Sequence, residues 1–163
     1  DDAFLRNSKL IGAGKIDGKF VFATSDGDDG TVYDQNGRAQ FEFEVKGQAE
    51  AFFVNNYVIV SPLHGTPSVY DVGRGEKVMQ LEKEAYLTYA TPVGDYIVSE
   101  YVSGDGNRFG YLMDQNCQII AYLPDLSDIG NNQLIFDYQT GVLRGVEIYS
   151  ISELIEMGRE RSF

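Results

Sequence analysis

The chain has 163 residues, enough to bury a core as one domain, and a single cysteine, Cys117, which excludes an internal disulfide. Thirteen Lys and Arg against twenty-five Asp and Glu give a formal charge of −12, a surface that repels phosphate backbones and anionic lipid heads. Nucleic-acid binding and membrane-surface roles are therefore disfavoured, and no apolar run approaches the roughly 18 residues of a bilayer-spanning helix.

In chain order, residues 1 to 7 form a ragged lead-in. Lys9 to Gly14 is expected to be an inner strand, followed by a hairpin turn at Asp17-Gly18. Gly12 and Gly14 are small residues that suit an innermost strand. They do not make a dinucleotide fingerprint, because the third glycine is misplaced and no helix follows. Lys19 to Phe22 is the next strand, and Thr24 to Gly30 is the most acidic short loop. Asp26, Asp28 and Asp29 there are candidate ligands for a calcium ion. The competing reading is a turn rich in Asp and Gly, because no Glu closes a twelve-residue loop and the Asp spacing is irregular. Strands at Thr31 to Asp34 and Gln40 to Val45 complete the first unit.

The second unit reads as Ala49 to Val54, a turn at Asn55-Asn56, Tyr57 to Val60, a Pro62 to Pro67 turn, Ser68 to Val72, the turn Gly73-Arg74-Gly75, and Lys77 to Leu81. A third follows with Leu87 to Val93, Gly94-Asp95, Asp95 to Val98, a polar insert from Ser103 to Arg108, Tyr111 to Asp114 and Gln118 to Leu123. A fourth, abbreviated unit has Asp128 to Gly130, Asn131-Asn132, Gln133 to Phe136 and Val146 to Ser150. Phe20, Tyr57, Tyr96 and Leu134 open the second strands at steps of 37, 39 and 38 residues. A period of about 40 residues holding only strands is the signature of a β-propeller blade.

Val69-Tyr70-Asp71-Val72-Gly73-Arg74-Gly75-Glu76-Lys77-Val78 resembles the third strand, turn and fourth strand of WD-repeat and quinoprotein-like propeller blades. Val32-Tyr33-Asp34-Gln35-Asn36-Gly37-Arg38 repeats the pattern in shorter form. The chain has no Trp, so it lacks the Trp-Asp dipeptide and the quinoprotein blade's terminal Trp. No quinone or other cofactor is expected. The last segment, 150 to 161, reads as a short helix, with Ser150 and Glu153 as a capping box and Ile151, Leu154 and Ile155 on one face. It resembles the helix that follows the final strand in bacterial WD-like propellers.

The expected fold is all-β, a propeller-like array of about four blades of antiparallel strands with a short C-terminal helix. The chain is read as one domain over 1–163, with units at about 8–47, 48–84, 85–125 and 126–150 and the helix at 150–161. It is expected to be a C-terminal piece of a longer propeller, completed by the rest of that protein or by a second copy. The resemblance implies a non-catalytic scaffold that offers loops to a protein or peptide partner, in a bacterial cytoplasm or at a cell surface. Candidate contact residues are Arg74, Arg108 and the off-repeat tyrosines, Tyr89 and Tyr101 foremost, with Tyr86 and Tyr138. Tyr33, Tyr70, Phe20, Tyr57 and Tyr96 recur at repeat positions and are assigned to packing. A carbohydrate- or calcium-binding sensor is the alternative. A hydrolase or lyase would draw on Glu50, Asp95 or Glu100, whose spacing singles out no pair. His64, the only histidine, is read as a turn residue.

Overall fold

The computed structural model describes residues 8–93, 95–123, 135–137, 141–144, 147–149 and 156. Its strands form separate antiparallel meanders, and within each sheet every strand pairs with the next in sequence. The first sheet runs β1 (Lys9–Ile16), β2 (Lys19–Ser25), β3 (Asp29–Asp34) and β4 (Ala39–Glu44). The second runs β5 (Ala49–Val54), β6 (Tyr57–Pro62), β7 (Ser68–Asp71) and β8 (Glu76–Gln80). The third runs β9 (Ala85–Val93), β10 (Tyr96–Ser103), β11 (Arg108–Asp114) and β12 (Ile119–Leu123). A fourth has three strands among the described residues: β13 (Ile135–Asp137), β14 (Gly141–Arg144) and β15 (Glu147–Tyr149). The architecture is the expected all-β, propeller-like one.

One expectation needs adjustment here. The sequence reading joins Gln133 to Phe136 directly to Val146 to Ser150, whereas a separate strand, Gly141–Arg144, lies between them. The C-terminal helix falls outside the described residues except at Glu156, which is helical and exposed.

The turns explain why the strands stop where they do. Asp17 (φ 50°) and Gly18 (φ 74°) reverse the chain between β1 and β2 with the left-handed backbone that suits a twisted hairpin. Between the third and fourth strands of each four-stranded sheet, the aspartate that ends the third strand caps the turn. Asp34 Oδ1 accepts from the amides of Asn36 and Arg38 at 2.8 and 3.0 Å. Asp114 Oδ1 accepts from Asn116 and Gln118 at 2.8 and 2.9 Å. Asp71 Oδ1 accepts from Arg74 at 3.0 Å. The sequence repeat thus has a physical basis: a short side chain that satisfies turn amides at one fixed place. A register shift falls just before each of these aspartates, at Val32/Tyr33, Val69/Tyr70 and Leu112/Met113. Three bulges at one repeat position mark one blade design used three times.

The chain separates into two compact units, Asp1–Tyr86 and Leu87–Phe163. In the first, the two sheets share a core that includes Ala23, Val32, Phe43, Val58, Val60 and Tyr70. Phe43 and Tyr70 join them across a 5.6 Å centroid separation, and Phe41 and Tyr70 across 5.9 Å. Such ring pairs contribute about 0.5–1.5 kcal/mol each beyond the area they bury. The inner strands β1 and β5 meet closely. A Cβ on Gly12 would stand 1.9 Å from the Ala51 carbonyl oxygen, and one on Gly14 would stand 2.7 Å from the Phe53 Cβ. Gly12 therefore admits the Ala51 backbone, and Gly14 admits the Phe53 side chain.

In the second unit Leu87, Ile97, Val98, Leu112 and Met113 are fully buried. Tyr101 is buried with them at 0% exposure, its ring 5.5 Å from that of Phe109 and 5.7 Å from that of Tyr111.

Candidate functional site

The up-and-down topology sends connections alternately to the two ends of a sheet. In the first unit the β2–β3 loop, the β4–β5 connection and the β6–β7 loop share one end. The β1–β2, β3–β4, β5–β6 and β7–β8 turns share the other. The first of these ends is knitted together by backbone hydrogen bonds. Gly47 N donates to Gly27 O at 2.8 Å, Val45 N to Asp28 O at 3.2 Å, and Leu63 N to Gln48 O at 2.7 Å.

At that end a cleft of about 510 Å³ opens between the starts of β1 and β5. Its lining includes Lys9, Leu10, Asp26, Gly47, Gln48 and Glu50. Leu10 is 66% exposed at its lip, and Leu63, also exposed, projects from the same end. Leu10 pairs with Thr24 and Gly12 with Ala23, so Ile11 is an extra residue in β1. The cleft lies on the Lys9–Ile11 side of that bulge, and at Gly12 the two backbones nearly touch.

Asp26 Oδ1 accepts from the Asp28 and Asp29 amides, each at 2.9 Å, which sets the β2–β3 turn. Those amides, Asp29's first, hold its carboxyl below the usual carboxylate range. Glu50, exposed on β5, accepts from the Tyr86 hydroxyl; burial first and that carboxylate second push the phenol up to about 12. Both acids in the cleft are thus oriented by partners of their own.

The other sequence candidates lie elsewhere. Asp28 is exposed in the β2–β3 loop, and Asp29 begins strand β3 opposite Glu44. No group of three metal-ligating side chains occurs among the described residues, and Asp26 caps the turn that carries Asp28 and Asp29. Arg74 sits at the opposite end of the first unit, where its guanidinium is paired with Glu76, both side chains well exposed. Tyr89 is exposed on β9. Tyr101 is not a contact residue: its burial among Phe109 and Tyr111 removes it from the surface. Phe20 is displaced in the other direction. It is 61% exposed beside the β1–β2 turn, with the Lys15 ammonium 4.7 Å from its ring centre, whereas Tyr33 and Tyr70 are buried as expected. His64 is exposed in the β6–β7 loop. Tyr138 lies outside the described residues.

Arg108 and Glu100, read separately from the sequence, are one ion pair in the second unit at 3.5 Å. Glu100 is the one charged side chain buried among the described residues. Burial raises its carboxyl, and Arg108 partly offsets that. The adjoining loop is self-contained: Asp105 accepts from the Ser103 hydroxyl and from Asn107, and those contacts lower its carboxyl. Asp95 is exposed and accepts from the Gln115 amide at 3.0 Å. Glu50 lies in the first unit and Asp95 and Glu100 in the second, each with a partner of its own.

No protein-family model matches the chain, and no curated protein matches it. Solved structures do match it in fold. The computationally designed Ika4 protein is 19% identical, with a TM-score of 0.56 over 88% of this chain and 91% of its own. The computationally designed Ika8 protein is 16% identical, with a TM-score of 0.54 over 85% of this chain and 44% of its own. BamB from Moraxella catarrhalis is 22% identical, with a TM-score of 0.49 over 69% of this chain and 33% of its own. The chain therefore spans about a third of BamB and under half of Ika8. Its own repeated four-stranded meanders are those of β-propeller blades.

Proposed function

We propose that this chain is a non-catalytic interaction module, a propeller segment that presents the β2–β3 end of its first unit to a protein partner. The observation that carries the reading is the clustering of an open cleft with two exposed leucines, Leu10 and Leu63, on a rim fixed by three backbone hydrogen bonds. Exposed apolar side chains beside a preformed concavity are what an anchor residue of a partner needs. The carboxylates weighed for hydrolysis support the same reading. Glu50 holds Tyr86, Asp95 holds Gln115, and Glu100 is paired with Arg108.

The test is a random-peptide display selection on the full chain, followed by affinity measurement. Enriched peptides are expected to lose about tenfold in affinity on the double variant Leu10→Asp, Leu63→Asp and to keep it on Arg74→Ala. Circular dichroism of each variant controls for folding. Failure to enrich any peptide, or peptides indifferent to the leucine pair, would refute the reading.

A further inference from the structure

We propose that the cleft between β1 and β5 binds an extended peptide segment in which arginine or lysine alternates with apolar residues. The inference deepens the interaction-module reading and rests on it.

The backbone carries the first part of the argument. Among the described residues β1 and β5 are each the outermost strand of their sheets, and each pairs on one side only. Where Gly12 meets Ala51 there is no room for anything between them. Beyond the Ile11 bulge the starts of both strands line a cleft of about 510 Å³, in the usual range of ligand pockets. A strand edge offers peptide amides and carbonyls at a fixed spacing, and the ligand that fits such an offer is another extended chain.

The side chains specify what that chain carries. Successive side chains of an extended segment point to opposite sides, so one set meets one wall and the next meets the other. Leu10 at the lip and Ile11, packed on the core, provide apolar surface. Asp26 and Glu50 provide two carboxylates, each held by its own hydrogen bonds, so ordering them costs little when a cation arrives. Lys9, exposed at the mouth, opposes a second cation there and directs the basic side chain toward the acids. The local excess of acid has the same sign as the −12 of the whole chain, which draws a basic segment in and fends off an acidic one.

The experiment uses three acetylated pentapeptides with the full chain. One alternates valine with arginine, one alternates valine with glutamate, and the third is the arginine peptide N-methylated on alternate amides. Binding is followed by fluorescence anisotropy and by amide chemical-shift perturbation. The arginine peptide is expected to bind and to shift the amides of Leu10, Gly27, Gly47 and Glu50. The variant Asp26→Asn, Glu50→Gln keeps oxygen acceptors in the turn and toward Tyr86, and it is expected to weaken binding about tenfold or more. N-methylation should abolish binding, and Arg74→Ala should leave it unchanged. Equal binding of the glutamate peptide, tolerance of N-methylation, shifts confined to other residues, or no binding of the arginine peptide would overturn the inference. If display-selected peptides bind the leucine rim while this result is negative, the module reading survives and only the cleft assignment falls.

Discussion

Replacing Gly12 with alanine tests how closely β1 and β5 pack, and the size of the effect follows from distances. The new Cβ would lie 1.9 Å from the Ala51 carbonyl oxygen and 2.8 Å from its carbon, both backbone atoms that cannot swing aside. Ordinary contact needs about 3.4 Å or more, so the strands must separate by about 1.5 Å along that line. Separation on that scale loosens the shared core of the first unit. Overpacking of this kind costs about 1–3 kcal/mol, and the rigid neighbour argues for the upper end. For a chain of this length each kcal/mol lowers the melting temperature by about 2–4 °C, so Gly12→Ala should melt about 6–12 °C early. Gly104→Ala is the control, because a Cβ there meets nothing within 4 Å. Thermal melts followed by circular dichroism, with urea titrations for the slope, give both numbers. A Gly12→Ala chain that melts within a degree of the parent would refute the close approach and, with it, the account of the cleft.

Asp114→Ala removes the acceptor of two turn amides and should cost about 1–2 kcal/mol, read as an early thermal melt, while Asp114→Asn keeps most of that stability. Arg108→Met leaves Glu100 buried without its cation. At pH 7.5 that should cost about 1–2 kcal/mol, a figure reduced because the guanidinium is 41% exposed. Glu100 has a raised carboxyl pKa, so its protonated form favours the folded state. Stability is fully present below the unfolded carboxyl pKa and falls as pH rises through the folded one. The Arg108→Met deficit should therefore shrink toward pH 5, and urea midpoints at the two pH values will show whether it does. Cys117 is fully buried, and burial, with Asp114 adding to it, pushes its thiol up to about 12. A thiol reagent at pH 8 should modify the native chain at least about a hundredfold more slowly than the urea-unfolded chain.

The repeat was legible because its cause is local. Turn residues and a capping aspartate recur every 40 residues or so, and each acts within a few positions of itself, as Asp34-Gln35-Asn36-Gly37 and Asp114-Gln115-Asn116-Cys117 show. What escaped depends on contacts between distant residues. Tyr101 looked free because its counterparts, Ser25 and Pro62, are small, yet Ile97 to Tyr101 are buried on both faces of β10, so polarity carries no signal there. Phe20 matched Tyr57 and Tyr96 in the repeat, but it lies at the start of β2 beside a turn, 61% exposed with the Lys15 ammonium over its ring. The Glu100–Arg108 pair had a usable signal. The hairpin register sets Val102 opposite Arg108 and Glu100 opposite Gly110, which makes the two charges diagonal neighbours. The cleft had none, since it lies between strands of two different sheets, whose approach neither strand's own pattern encodes.

The most direct test of the central claim is site-specific photo-crosslinking at the two ends of one hairpin. A photoreactive residue replaces Leu10 at the β2–β3 end in one chain and Phe20 at the opposite end in another, both exposed side chains of the first unit. Each chain is irradiated with the tightest display-selected peptide. The account predicts an adduct at position 10 that excess unlabelled peptide suppresses, and none at position 20. Crosslinking at position 20 alone, or equally at both, would contradict it.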